Sequence, residues 1–259
     1  MYLKFYKYQG TGNDFILIDN RFNSFNKKNN TLIAKLCNRK FGVGADGLIL
    51  LENSKKYDFK MLYFNADGKE STMCGNGGRC IVAFAKQLKI IKNNTTFEAI
   101  DGLHSANIKG SLVELQMMDV DFILEAENHV FLNTGSPHHI NFESKIDEID
   151  VKTIGKKIRY GKPYNEEGVN VNFVEQIGLN TFKVRTYERG VEDETLSCGT
   201  GVTAVAIAAF QTNQTTSTLV KLHTLGGILE ISFQKEGVLY KNVFLKGDAT
   251  FVFKGKINL

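Results

Sequence analysis

The 259-residue sequence lacks the features that would place it in a membrane or outside the cell. It contains no stretch of about 18 apolar residues, so no transmembrane helix is indicated. Its opening residues, MYLKFYKYQG, lack the apolar run and the small-residue cleavage site of a secretory signal. We therefore expect a cytoplasmic protein with no membrane partner, whose thiols stay reduced.

The sequence also has few cysteines and a small net charge. The four cysteines are too sparse for a disulfide scaffold, and no two are spaced as CxxC, so a zinc site is not indicated. The net charge of +4 is small for this length and the lysines are scattered, so nucleic acid is not the expected partner. With 42% hydrophobic and 23% charged residues, the composition is that of an ordinary soluble globular protein.

The sequence contains an internal repeat, in which segments of the first half recur in the second half at a nearly fixed offset. At an offset of 123 residues, TGND (11–14) aligns with TGSP (134–137), and GLILLE (47–52) aligns with NVNFVE (170–175). One residue more, an offset of 124, aligns the two Cys-Gly-x-Gly segments. The landmarks that match at this second offset are Cys74 with Cys198, Gly75 with Gly199, Gly77 with Gly201, and Gly102 with Gly226.

The repeat and the hydrophobic pattern together predict an α+β fold of two pseudo-symmetric domains. Each domain is expected to be a curved, mostly antiparallel sheet around a central helix. The predicted domains are 1–118 plus 248–259, and 119–247, with the last strand (250–257) returning to the first domain. Strands are predicted at 15–19, 47–52, 59–65, 113–117, 171–175, 181–188 and 229–233, and helices at 31–39, 79–88 and 202–210.

The two Cys-Gly-x-Gly segments each place a cysteine before a predicted helix, separated from it by glycines. A helix N-terminus carries partial positive charge and unpaired N–H groups, so it stabilises a thiolate and can hold a carboxylate. Cys37 and Cys80 lie on the apolar faces of their predicted helices and are interpreted as buried hydrophobic residues. The expected anion cradle is formed by the N–H groups of Gly75, Asn76, Gly199 and Thr200.

Two equivalent thiols on two equivalent domains suit the inversion of a carbon stereocentre. One thiolate would remove a proton from one face of the carbon, and the opposing thiol would deliver a proton to the other face. The pair titrates together, because one group must be ionised and the other protonated at the start. The sequence does not determine which cysteine is the thiolate.

At these residues the sequence resembles the diaminopimelate epimerase family over almost its full length. The cysteine segments are highly specific, whereas a lone Gly-x-Gly would be weak evidence. The segments that carry the resemblance are GTGNDF (10–15), FGVGADGLIL (41–50), FNADGKESTMCGNGGRC (64–80), VNVNF (169–173) and YERGVEDETLSCGTG (187–201).

The resemblance implies an enzyme that interconverts LL- and meso-diaminopimelate without a cofactor or a metal, in lysine and cell-wall synthesis. It implies a homodimer, with Cys74 and Cys198 as the acid–base pair and His138 as a supporting residue. The positions that match substrate-holding residues of the family are Asn13, Asn65, Asn170, Glu188 and Arg189.

The sequence departs from the commonest family pattern in three places. Ser136 stands where many members have asparagine, Gly47 stands where many have glutamine, and the loop 191–197 is one residue longer. Two alternatives stay open at this point. One is a proline or hydroxyproline racemase-like enzyme of the same fold, and the other is a non-catalytic thiol redox or binding protein.

Overall fold

The computed structural model describes residues 2–258. The chain divides into two compact units. Unit 1 holds the residues up to Leu115 and from Gly247 onward, and unit 2 is Gln116–Lys246. The boundaries predicted from the sequence lie nearby, at 118/119 and 247/248.

Unit 1 is a mixed sheet whose strands, numbered along the chain, run in the order β18–β1–β2–β3–β4–β6–β7–β8, with the short β5 also on β4. The β2–β3 and β4–β6 pairs are parallel and the others are antiparallel. The strands are β1 (Tyr2–Gly10), β2 (Asn13–Asp19), β3 (Gly47–Glu52), β4 (Phe59–Asn65), β5 (Glu70–Ser71), β6 (Asn94–Ala99), β7 (Gly102–Lys109), β8 (Leu112–Gln116) and β18 (Thr250–Asn258).

Unit 2 has the strand order β9–β10–β11–β12–β13–β15–β16–β17, with the short β14 also on β13. Here β11–β12 and β13–β15 are the parallel pairs. The strands are β9 (Ile123–Glu125), β10 (Val130–Asn133), β11 (Pro137–Phe142), β12 (Asn170–Gly178), β13 (Thr181–Glu188), β14 (Asp193–Thr195), β15 (Leu219–Thr224), β16 (Gly227–Glu236) and β17 (Leu239–Asp248).

The two units repeat the same topology pairing by pairing. The parallel pairs occupy equivalent places, and each hairpin of unit 1 has its counterpart in unit 2. The α+β fold of two similar, mostly antiparallel sheets is therefore confirmed. The exception to chain order is β18, which follows unit 2 in the sequence and pairs antiparallel with β1, as predicted for the strand at 250–257.

Each unit has a helix of 13 residues packed on its sheet. In unit 1, Phe84 of this helix is fully buried and contacts the rings of Tyr6 and Tyr8 on β1, at centroid distances of 4.8 and 6.0 Å. The equivalent helix of unit 2 is apolar almost all round and mostly buried, as predicted for residues 202–210. The helices are α1 (Asn30–Cys37), α2 (Gly75–Gln87), α3 (Val151–Tyr160) and α4 (Gly199–Gln211), with a short 3-10 helix at Ile146–Glu148.

The starts of α2 and α4 correct the sequence prediction. The helices were expected at 79–88 and 202–210, with glycines separating them from the cysteines. Instead α2 begins at Gly75 and α4 at Gly199, directly after each cysteine. The glycines lie in the first helical turns, where a β-carbon on Gly77 would lie 3.2 Å from the Cys74 sulfur and one on Gly201 would lie 2.6 Å from Asn172 Oδ1.

Candidate active site

Cys74 is the N-cap residue of α2 and is half-buried. Its backbone is extended, and its sulfur accepts a hydrogen bond from the Gly77 N–H at 3.2 Å. A β-carbon on Gly77 would lie 3.2 Å from this sulfur and 3.2 Å from the Cδ1 atom of Ile49. Glycine therefore lets the cysteine turn back over the first turn, where the helix dipole favours negative charge.

Cys198 is the N-cap residue of α4 and is buried. Within residues 2–258, its side chain makes no capping hydrogen bond to the first turn. Its sulfur lies 3.4 Å from Oγ1 of Thr200 instead. Thr134, which follows strand β10, donates from its hydroxyl to the Thr200 carbonyl at 2.9 Å and connects this turn to the end of that strand.

Asn13, Asn65 and Asn76 lie around one end of the unit 1 sheet. Asn13 begins β2 and donates to Asp46 Oδ2 at 2.6 Å, and Asn76 in the first turn of α2 lies 3.4 Å from Asn13 Oδ1. Asn65 ends β4 directly opposite Gly47 and is exposed. The structure thus links Asn13 to Asn76 by a hydrogen bond and leaves the Asn65 side chain at the surface.

Gly47 is closely covered by Tyr63. A β-carbon at position 47 would lie 2.5 Å from a ring carbon of Tyr63 and 3.1 Å from its hydroxyl. The aromatic ring therefore fills the space into which a side chain at 47 would extend. This contact gives a physical reason for glycine where many family members have glutamine.

A charged cluster ties the GTGND loop to the loop before β3. The Asp14 carboxylate pairs with Lys7 at 2.7 Å and with Arg39 at 2.6 Å, and Arg39 also reaches Asp46 at 2.7 Å. Burial alone would raise the pKa of Asp14, but the hydrogen bonds and charges of Arg39 and Lys7 outweigh it and lower the pKa to about 2. Because Asp46 also holds Asn13, the cluster positions that side chain.

Acid should weaken this cluster in a defined pH range. The folded-state pKa of Asp14 lies below the ordinary value of 3.8, so its stabilisation is present above about pH 4 and is lost as the pH falls through about 2. We expect Asp14→Asn to lower the free energy of unfolding by about 2 kcal/mol near neutral pH, and by much less near pH 2. Urea unfolding at the two pH values measures this.

The exposed Asp67 is the matched control for that experiment. It lies 3.6 Å from Lys69 in a turn, and such surface pairs contribute little to stability. Asp67→Asn should leave the free energy of unfolding almost unchanged at both pH values. An Asp14→Asn effect that is equally large in acid would contradict the electrostatic explanation.

In unit 2, Asn170 connects three segments of backbone. It begins β12, donates to Ser136 Oγ at 2.8 Å and to the Pro137 carbonyl at 3.0 Å, and accepts from the Arg189 N–H at 2.9 Å. The Arg189 guanidinium stays exposed and donates to the Glu167 carbonyl at 3.0 Å. Asn170 therefore fixes the backbone from which Arg189 projects, and Ser136 serves as its partner there.

Glu188 ends β13 immediately before Arg189 and is half-buried. Its Oε2 atom accepts a hydrogen bond from the Thr195 hydroxyl at 2.9 Å. In the repeat, Glu188 takes the place of Asn65, at the end of the equivalent strand. The two units thus present different polar groups at matching positions.

His138 is fully buried on β11 and uncharged. Burial, and after it the charge of Arg189, lowers the pKa of His138 to about 3. The Asn172 side chain accepts from the Thr186 hydroxyl at 3.0 Å, so its amide nitrogen faces His138 Nδ1 at 3.2 Å. This arrangement assigns the hydrogen to His138 Nε2, which has no partner among residues 2–258.

Sequence reasoning missed the groups that support the predicted site residues. The missed residues include Arg39 and Asp46, together with Arg79 inside α2. Their signals were present, since Asp46 and Arg79 lie within the segments FGVGADGLIL (41–50) and FNADGKESTMCGNGGRC (64–80). The missed supporting side chains of unit 2 are Asn172 and Thr186.

Two further features of the described residues concern metal ions and membranes. No set of three or more His, Cys, Asp or Glu side chains within residues 2–258 is grouped to hold a metal ion. Among the helices of that range, none has the length and apolar character needed to cross a membrane.

Comparison with known proteins gives relatives over nearly the whole chain. A family model described as diaminopimelate epimerase matches residues 5–122 and 130–252. The diaminopimelate epimerase of Flavobacterium psychrophilum is 59% identical over 256 residues, which covers 98% of this chain and 100% of that protein. The diaminopimelate epimerase of Chlorobaculum tepidum is 42% identical over 259 residues, covering 96% and 99%.

Solved structures share the fold at much lower identity. A phenazine biosynthesis protein of the PhzF family from Bacillus anthracis has a TM-score of 0.80 at 12% identity, covering 100% of both chains. A hydroxyproline epimerase from Agrobacterium vitis has a TM-score of 0.70 at 13% identity, covering 100% of this chain and 93% of that one. At these identities the likeness is one of fold.

Proposed function

The chain belongs to the diaminopimelate epimerase family, and on this basis we propose that it interconverts LL-2,6-diaminopimelate and meso-diaminopimelate. The observation that carries the proposed chemistry is the pair of N-cap cysteines, Cys74 and Cys198, at matching positions of the two repeats. Each caps the N-terminus of a mostly buried 13-residue helix, so each sulfur lies where the helix dipole favours negative charge.

In the proposed reaction, one proton is removed from the α-carbon and another is added to its opposite face. A thiolate takes the α-proton, so an S–H bond forms and the electrons of the C–H bond stay on the substrate. The second thiol then gives its proton to the opposite face of the carbon and is left as a thiolate. The reaction needs no electron acceptor, because nothing is oxidised or reduced.

The developing negative charge on the substrate must be stabilised, because an amino-acid α-proton is a weak acid. We propose that the first-turn N–H groups of Gly75, Asn76, Gly199 and Thr200 supply this stabilisation at the α-carboxylate. Their contribution is preorganised, since they belong to the first turns of helices that are mostly buried. No cofactor or metal takes part in this proposal.

The remaining polar residues are proposed to hold the substrate's polar ends and to position one another. Asn13, Asn65, Glu188 and Arg189 are the binding groups of this proposal. Asn170 supports Arg189 through the 2.9 Å backbone hydrogen bond, and His138 supports the site as a neutral residue. Arginine suits this role, because its planar fork can pair bidentately with a carboxylate.

We further propose that the enzyme acts in the cytoplasm as a homodimer, in lysine and peptidoglycan-precursor synthesis. The family resemblance is the support for each of these statements. Light scattering of the purified protein tests the oligomeric state, with a mass near twice the 29.0 kDa of one chain as the expected result.

The test of the proposed function is α-hydrogen exchange in deuterated solvent. LL-Diaminopimelate should gain deuterium at one α-carbon as meso-diaminopimelate forms, and proline and lysine should exchange far more slowly. Rapid exchange of proline would instead favour a proline racemase-like enzyme. No exchange with any of the three would favour a non-catalytic thiol protein.

Arg189→Lys should impair substrate selection although the charge is kept. Lysine cannot reproduce the planar bidentate fork, and a hydrogen bond to a charged group contributes about 1.5–3 kcal/mol. We expect kcat/KM for LL-diaminopimelate to fall by about 10- to 100-fold, with little change in the melting temperature.

The matched control is Arg185→Lys on the preceding strand β13. Arg185 holds Glu194 through two hydrogen bonds of 2.7 and 2.8 Å, so its replacement should affect stability and leave substrate selection intact. Equal losses of kcat/KM in the two variants would remove Arg189 from the binding site.

A further inference from the structure

Tyr63 lies on the same face of the unit 1 sheet as the Cys74 turn. In the β3–β4 ladder Tyr63 is opposite Ile49, and opposite residues of two paired strands place their side chains on the same face. The Cδ1 atom of Ile49 would lie 3.2 Å from a β-carbon on Gly77, which would also lie 3.2 Å from the Cys74 sulfur. Tyr63 is half-buried, so part of its side chain is open to a ligand at this face.

Glycine at position 47 lets the Tyr63 ring lean across the first residue of β3. A β-carbon there would lie 2.5 Å from a ring carbon and 3.1 Å from the Tyr63 hydroxyl. Phe15, which is opposite Gly47 in the β2–β3 ladder, is fully buried and packs edge-on against the ring at a centroid distance of 6.0 Å. The hydroxyl is therefore held beside the space where a side chain at position 47 would begin.

This space lies between two of the proposed binding residues. Asn65 is opposite Gly47 on β4, and Asn13 lies two residues before Phe15 on β2. Because side chains alternate along a strand, both asparagines are on the face that carries the Tyr63 ring. The hydroxyl thus joins a set of neutral polar side chains at one end of the unit 1 sheet.

The repeat shows what the matching position of unit 2 carries. At the offset of 123 residues, Gly47 aligns with Asn170 and Tyr63 aligns with Thr186. The β3–β4 and β12–β13 ladders agree in register at this offset. Unit 2 therefore has a hydrogen-bonding side chain where β12 begins, whereas the glycine of unit 1 has no side chain where β3 begins. The Tyr63 hydroxyl returns a hydrogen-bonding group to that place.

The hydrogen-bonding needs of the proposed substrate favour such an additional group. Each amino-acid end carries a carboxylate with two acceptor oxygens and an ammonium group with three donors, and these groups need protein partners when they lose water. One amide hydrogen of Asn13 is already donated to Asp46 at 2.6 Å. A phenol hydroxyl can donate to a carboxylate or accept from an ammonium group, so it suits either part of an amino-acid end.

From this placement we propose that Tyr63 is a substrate-binding residue, whose hydroxyl forms a hydrogen bond with a polar end of diaminopimelate beside Asn65. The inference rests on the proposed function and adds to it a contact made by a side chain of β4. Gly47 has a part in this contact, because any larger residue would displace the ring that carries the hydroxyl.

Tyr63→Phe is the direct test, because it removes the hydroxyl and keeps the ring that packs against Phe15. We expect kcat/KM for LL-diaminopimelate to fall by about 10- to 100-fold, mainly through a higher KM, since a hydrogen bond to a charged group is lost. The melting temperature should change little. A hydroxyl that only ordered the sheet would lower the melting temperature and leave KM unchanged.

Tyr8→Phe is the matched control within unit 1. The Tyr8 hydroxyl donates to Gln87, the last residue of α2, at the opposite end of that helix from Cys74. Its removal should lower stability at most and leave KM for LL-diaminopimelate unchanged. Both substitutions delete one hydroxyl from a tyrosine of the same sheet, so their comparison separates substrate binding from packing.

Binding can also be measured without turnover in the Cys74→Ser background, in which the acid–base pair is incomplete. Isothermal titration calorimetry with LL-diaminopimelate should give a Kd that rises by about 10-fold or more when Tyr63→Phe is added. Adding Tyr8→Phe instead should leave the Kd unchanged.

Unchanged KM and Kd in the folded Tyr63→Phe proteins would overturn the inference. Equal losses in the Tyr63→Phe and Tyr8→Phe proteins would overturn it as well, because the effect would then come from the packing of the sheet. In either case, wild-type exchange of the diaminopimelate α-hydrogen would leave the proposed function standing. Absence of that exchange would defeat the proposed function and this inference with it.

Discussion

Cys74→Ser and Cys198→Ser are each expected to lower kcat/KM for LL-diaminopimelate by about 10³-fold or more. A serine hydroxyl is far too weak an acid to ionise near neutral pH, so the variant loses either the base or the proton donor. Serine is a preferred N-cap residue and can accept the Gly77 N–H that Cys74 accepts at 3.2 Å. The Cys74→Ser variant should therefore remain folded, and its activity loss can be assigned to chemistry.

The other two cysteines are the matched controls for these variants. Cys37 and Cys80 are buried in unit 1, and burial raises the pKa of the Cys37 thiol to about 12. Cys37→Ala and Cys80→Ala should lose some stability and keep most of the epimerase activity. Near-normal epimerisation by either serine variant, measured by deuterium incorporation and by product analysis, would falsify the assignment of the acid–base pair.

Gly201→Ala is expected to lower kcat by about 100-fold while the protein stays folded. The new β-carbon would lie 2.6 Å from Oδ1 of Asn172 and 3.4 Å from the Cys198 sulfur. Asn172 cannot withdraw easily, because its side chain is held by Thr186 and His138 at 3.0 and 3.2 Å. The first turn of α4 must shift instead, and it carries Cys198 with it.

Gly77→Ala, at the equivalent position of α2, provides the comparison. Its β-carbon would lie 3.2 Å from the Cys74 sulfur and 3.2 Å from the methyl end of Ile49, with Met61 Cε at 3.5 Å. These side-chain ends can move by a few tenths of an ångström, so we expect a smaller loss of kcat than at position 201. Steady-state kinetics on both variants shows which of them loses more kcat, and circular dichroism checks that both are folded. A Gly201→Ala enzyme with normal kcat would show that Asn172 does not constrain the turn.

Much of the fold could be predicted from the sequence because its strands are short and bounded by turn residues. The predicted strands at 47–52, 59–65 and 181–188 coincide with β3, β4 and β13. The strand β1 was not predicted from the sequence. Its side chains do alternate, with Tyr6 and Tyr8 toward α2.

The helix α3 was missed for a different reason. It contains Gly155 at its centre, and glycine disfavours helix in isolation. The structure shows why glycine is required, since a β-carbon there would lie 2.5 Å from Tyr187. Such a contact depends on the tertiary packing of α3 against β13, which no local pattern reveals.

The residues of the candidate site also fall into a group that the sequence predicted and a group that it did not. The cysteines were predicted, because their segments occur twice and the repeat makes them conspicuous. The charged residues that support the site were not predicted, because their contacts are with partners distant in sequence. Arg79 contacts Thr11, and Arg39 contacts Asp14, across loops that the fold brings together.

The pairing of β18 with β1 has a consequence for the order in which the protein is synthesised. On the ribosome, β1 emerges before unit 2, yet β18, one of its two antiparallel neighbours, follows the whole of Gln116–Lys246. At about 5–20 residues per second, β1 waits on the order of ten seconds with one open edge, whereas β10 soon pairs with the adjacent β9 and β11. Unit 2 can complete its sheet during translation, and the half that contains Cys74 is completed last. Nascent chains stalled before β18 should therefore expose the β1 edge to aggregation and to chaperones.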